Sequence, residues 1–305
     1  MDILNTNPIS HFLENLAKPF ANALGLPYFP EYFPTIAYTA LLYTFLHVVI
    51  APWGSRIFAR EAYTRQVGKR AKNNWDIHVV SFVNAVTLVY LSFKCFGHKE
   101  LEEDKTFGWH ESVGWANAIA IGYFIWDTVD AIVNFIDLGF VIHGLSCMVL
   151  YSLTFKPFLG YYSPRFLLWE LSTPFLNIHW FLDKLNMTGS TIQYVNGVFL
   201  LSTFFGVRIV YGWYCTWGFF HALANAWGKV HPAIIITLFL GNLTLSSLNI
   251  IWLSKMINAL RKRFTSDRKQ PKLSNGTDLN SNHNYGATNG NGNGHGDNIT
   301  GQENV

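Results

Sequence analysis

The sequence predicts an all-α protein, a polytopic bundle of about seven membrane-crossing helices with a disordered carboxyl-terminal tail. Three observations carry this. Half of the 305 residues are hydrophobic and only 13% are charged, whereas soluble domains average about a quarter charged. The charged residues cluster between apolar runs. Those runs approach the roughly 20 residues that a helix needs to cross a bilayer.

The elements follow in order. Residues 1–32 form an amino-terminal interfacial segment. Phe12, Leu13, Leu16, Phe20 and Leu24 recur there at helical spacing, which predicts a short interfacial helix broken near Pro19. No basic stretch precedes an apolar core, so no cleavable signal peptide is expected and the first span acts as insertion signal. Residues 33–67 hold the first span, 33–51, and the start of a basic loop. Further spans are expected at 77–96, 113–133, 138–155, 166–182, 192–213 and 230–254. The stretch 209–228 is apolar enough to raise an eighth. From residue 261 an Asn/Gly-rich tail is expected, with sequons at Asn275 and Asn298 that stay unglycosylated if the tail is cytosolic.

Charge orients the spans. The first loop holds Arg56, Arg60, Arg65, Lys69, Arg70 and Lys72 against Glu61 alone. The segment after the last span holds Lys255, Arg261, Lys262, Arg263, Arg268, Lys269 and Lys272. Basic loops stay cytosolic, so an even number of spans separates them, which gives seven in all. The amino terminus is then lumenal and the carboxyl terminus cytosolic.

Ionisable groups at membrane depth are costly and mark functional sites. Asp127, Asp130, Asn134 and Asp137 follow spacings of three, four and three, hence one helix face. His143 enters one turn into the next span, where Asp127 could orient its imidazole for base work. In LLWELSTPFLNIHWFL, residues 167–182, Glu170, Thr173 and Asn177 lie within about 60° of one another on an α-helix, with Ser172 and His179 opposite. Arg208 is expected at the depth of Glu170, as its structural ion-pair partner. Asp130, Asn177, His179 and Asn196 are the candidate walls of a polar lipid pocket; His143 and Asp127 are the candidate catalytic pair. The histidines, His98 and His110 among them, show no helical ligand pair, so no metal site is expected. Cys95, Cys147 and Cys215 read as small buried hydrophobes.

The stretches GYFIWDTVD, FVIHG, WELSTPFLNIHWFLD and NGVFLLSTFFGVRIV resemble the TLC-domain family over about residues 68–260, and within it the small TLC-domain proteins of animals and fungi. The resemblance implies an endoplasmic-reticulum membrane protein concerned with lipids. Some members are ceramide synthases, which join an acyl-CoA to a sphingoid base and carry paired histidines in one helix and paired aspartates in the next. His143 matches the first histidine. Gly144 stands at the second, and no Asp-Asp pair follows.

Three functional readings come from this. One is lipid homeostasis, through binding or regulating a sphingolipid or phospholipid in the polar pocket. Another is an N-acyltransferase of ceramide synthase type, with acyl-CoA as a substrate. The third is a trafficking receptor or transporter. No cofactor is expected. The expected partners are membrane lipids, with homo-oligomerisation left open and no soluble partner identifiable. The basic loop beside a span is expected to meet anionic headgroups rather than nucleic acid.

Overall fold

The computed structural model describes residues 7–269, with side chains through Arg261. The chain divides into two compact units, Met1–Ile251 and Trp252–Val305. Among the described residues all regular elements are helices, besides one isolated bridge between Trp227 and Val230.

Helix α1, Pro8–Leu24, opens on an Asn7 cap and closes on Gly25, whose φ of 66° suits glycine. Helix α2, Phe29–Phe58, contains a π turn at Leu46–Ile50. The short α3, Arg60–Thr64, leads to α4, Lys69–Lys94. Helix α5, Lys99–Glu103, precedes α6, Glu111–Val133, and α7, Leu138–Leu153. Helix α8, Ser163–Leu167, continues through a 3-10 turn, Leu168–Ser172, into α9, Thr173–Lys184. Helix α10, Thr191–Asn225, carries a second π turn at Phe204–Val210. Helix α11, Pro232–Lys269, supplies the described part of the second unit from Trp252 onward.

Among the described residues, five helices are long and apolar enough to span a membrane: α2, α4, α6, α10 and the Pro232–Arg261 part of α11. Helix α7 is apolar but shorter, and 163–184 reaches spanning length by joining three helical pieces. The protein is thus an all-α polytopic membrane protein. Its outward faces are apolar, with Leu41, Tyr90, Phe199, Tyr214 and Leu240 all exposed, as a lipid-facing surface requires.

Helix α6 is the most buried span. Its small residues let neighbours approach closely, the usual basis of helix packing in lipid. Gly114 lies against the Tyr32 ring, and a Cβ on Gly122 would come within 2.6 Å of Thr39 Cβ. Buried amides and hydroxyls then tie the spans together. Tyr43 donates to Asn84 at 2.9 Å, and Asn117 donates to Thr154 at 2.6 Å while accepting from Ser163.

The structure departs from sequence expectation in three places. Helix α1 is unbroken at Pro19. The small face Ser10, Ala17 and Ala21 is buried, so packing holds the helix, and Pro19 and Asn15 lie on the exposed side. Helix α10 does not end near Trp213 but runs on to Asn225, which absorbs the apolar stretch that raised an eighth span. Glycines 212 and 218 do not break it, because they make room for Trp169 and Tyr162. Helix α11 continues to Lys269, past the residue where the tail was expected to begin. The rest of that tail, with both sequons, lies outside the described residues.

Candidate functional site

Arg208 sits seventeen residues from either end of α10, counting 191 to 208 and 208 to 225, within the π turn Phe204–Val210. Such wide turns re-aim side chains and recur at functional sites. The side chain is buried, at 7% exposure. Its Nε donates to Ser172 Oγ at 3.0 Å, Nη2 to Thr173 Oγ1 at 3.1 Å and Nη1 to Asn249 Oδ1 at 3.1 Å. Glu170 Oε1 is 3.8 Å from Nη2, near enough for attraction but too far for a hydrogen bond. The planar guanidinium fork thus joins α10, the 163–184 segment and α11 at one point, and its charge is balanced by a carboxylate as burial demands.

The 3-10 turn explains why Ser172 and Thr173 meet the same cation. It advances about 120° per residue instead of 100°, so the faces counted on a uniform α-helix shift. Pro174, at the start of α9, needs no intrahelical donor there.

A second carboxylate approaches from α6. Asp127 feels the charges of Glu170 and Asp130. Its Oδ2 is 3.5 Å from where a side chain on Gly144 would begin. Among the described residues Asp127 makes no hydrogen bond or ion pair. It is only partly covered. His143, on α7, packs edge-on against Phe124 and has Cys147 Sγ 3.9 Å from its ring nitrogens; the charge of Arg208 acts on it. The fields of Glu170 and Arg208 also reach Cys147 and Tyr151. The partly covered Asp127, His143 and Glu170 and the buried Arg208 therefore form one ionisable cluster.

A sequence profile of the TLC domain matches residues 74–258. The chain belongs to the TLC-domain family. An uncharacterized TLC domain-containing protein of Schizosaccharomyces pombe is 36% identical over 275 residues, covering 89% of this chain and 92% of its own. The topoisomerase I damage affected protein 4 of Saccharomyces cerevisiae is 26% identical over 242 residues, 74% of this chain and 84% of its own. The human TLC domain-containing protein 4 is 26% identical over 209 residues, 66% and 79%. No solved structure matches.

The other pocket candidates of this TLC protein are distributed over separate helix contacts. Asp130 accepts from Asn73 of α4 at 3.2 Å and from Asn134 at 2.9 Å, at the end of α6. Asn177 donates to Ser81 at 3.2 Å and to the Thr173 carbonyl at 3.0 Å. Asn196 donates to the Phe175 carbonyl at 2.8 Å. The His179 ring lies across from Gly197. Asp137 caps α7 by accepting from the Gly139 N–H at 2.7 Å.

A cavity of about 40 Å³ is lined by Tyr151 and Trp169 with Leu150, Phe166, Leu238 and Asn242. It is large enough for a water molecule.

Asn249 escaped sequence reasoning because it is one amide in a long apolar run. Its own depth in the membrane was the available signal.

Proposed function

We propose that this protein holds the polar head of a membrane lipid at the partly covered Asp127, and through that lipid regulates membrane lipid composition. The observation that carries the reading is Asp127 itself. It is a partly covered carboxylate on a membrane-spanning helix, with no hydrogen-bond donor among the described residues. An ionisable group on a membrane span without a partner is expensive. A hydroxyl, amide or ammonium of a lipid head offsets that cost, while the chains lie along the exposed apolar faces of α6 and α7, where Val129, Leu145 and Val149 point outward. Sphingolipids and phospholipids both carry such donors. The endoplasmic reticulum is the proposed compartment, consistent with a family linked to lipid metabolism and sensing.

The acyltransferase reading has less support. Gly144 packs so tightly on Thr128 that an added Cβ would overlap the Thr128 hydroxyl. The position thus has no room for a second histidine beside His143.

The test is the lipid composition of cells in which the native protein is replaced by Asp127→Asn or His143→Ala. Asp127→Asn should shift the composition to that of cells lacking the protein, and His143→Ala should leave it near normal. The reverse pattern would support acyl transfer at His143 and overturn the binding reading.

A further inference from the structure

The loop between α4 and α6 brings together three metal-ligating side chains that the sequence leaves scattered. His98 and His110 stack with ring centroids 3.5 Å apart and planes 15° from parallel. One ligand atom each from His98, Glu100 and His110 lie within 4.8 Å of one another. We propose that these three residues bind one zinc ion.

Zinc accepts nitrogen and oxygen ligands at about 2.0–2.2 Å, so tetrahedral ligand atoms stand about 3.4 Å apart. The three groups need to close by little more than an ångström, and the two rings must splay from their present stack. Glu100 is exposed and, among the described residues, makes no hydrogen bond or ion pair. Its neighbours are engaged: Glu102 pairs with Arg165 at 2.9 Å and Glu103 with Lys99 at 3.5 Å.

A histidine ligand is oriented by a partner on its other ring nitrogen, and both histidines have one. His98 Nε2 is 3.0 Å from the Lys94 carbonyl. Donation there leaves the Nδ1 lone pair for a metal. His110 Nδ1 is 2.8 Å from Ser112 Oγ, which can accept its proton and free Nε2. In this structure the Ser112 N–H also donates to His110 Nδ1 at 3.2 Å and caps α6, so zinc binding exchanges that cap for a Nδ1–H bond to the hydroxyl. The loop is already shaped. Asp104 Oδ1 accepts from the Thr106 and Phe107 N–H groups at 2.9 Å each, and Gly108 N–H donates to the Asp104 carbonyl at 2.9 Å. Two histidines and a glutamate leave a fourth position for water. The ion would lock the end of α4 to the start of α6.

Chelator-treated full-length protein in detergent tests this by titration with cobalt(II), followed by zinc(II). The expected result is a visible absorption spectrum of four-coordinate cobalt, saturating at one ion per chain and displaced by zinc. Glu100→Gln should abolish the bands and weaken zinc at least tenfold without disturbing the fold, because the side chain is exposed. His110→Asn should do the same while keeping a side-chain acceptor for the α6 cap. Circular dichroism identifies any variant that fails to fold, and the other then decides. The proposal is overturned if the wild type gives no bands, or if a folded Glu100→Gln or His110→Asn variant binds cobalt as the wild type does.

Discussion

Arg208 concentrates the energetics of the site. Removing its side chain leaves Glu170 without a cation and strips donors from Ser172, Thr173 and Asn249. Breaking a buried charge pair in this way costs about 3–5 kcal/mol, so Arg208→Ala should sharply lower the thermal unfolding midpoint in detergent. Arg208→Lys should recover little, since a single ammonium cannot reproduce the fork. Glu170→Gln should be milder than either, because three of the four contacts survive. Equal losses from Glu170→Gln and Arg208→Ala would show that the cation is held by its carboxylate alone. The sequence showed Arg208 and Glu170 as ionisable groups in apolar runs at similar depth. It could not show Ser172 and Thr173 as joint acceptors, since that depends on the 3-10 turn. Nor could it show that Asp130, Asn177 and Asn196 hydrogen-bond at separate helix contacts, because face and depth do not determine which neighbour a helix meets.

Helix α7 is fitted to α6 at Gly144 and Thr128. Gly144→Ala should destabilise the protein by about 1–3 kcal/mol through overpacking. In a Thr128→Ala background the same change should cost clearly less, a coupling that a double-mutant cycle measures. Strict additivity would remove the steric argument against a second histidine. Among the elements, the α6 and α7 boundaries were legible because Asn134 and Asp137 interrupt the apolar pattern between them. The length of α10 was not, since glycines that punctuate a sequence also serve as contact points for Trp169 and Tyr162. The break expected at Pro19 failed for a related reason: packing of a small-residue face outweighed a local preference.

Each of the seven expected spans overlaps helical structure, five of the described helices being long and apolar enough to cross a membrane, and the family is the one the motifs resemble. Orientation rests on charge: the loop before α4 is basic and the loop before α6 acidic. All three native cysteines are buried, so single introduced cysteines report cleanly. In sealed microsomes, Val67→Cys should react with a membrane-impermeant maleimide and Lys105→Cys should be protected. The opposite pattern would invert the topology and place the Asp127 end of α6 on the lumenal side.

The central claim is that Asp127 receives a lipid head. Mass spectrometry of the detergent-purified protein, native and then denatured, tests it most directly. The account predicts a lipid mass on the native wild type that disappears on denaturation and is absent from Asp127→Asn. Equal lipid occupancy in the wild type and in folded Asp127→Asn, or an acyl mass that survives denaturation on His143, would contradict it.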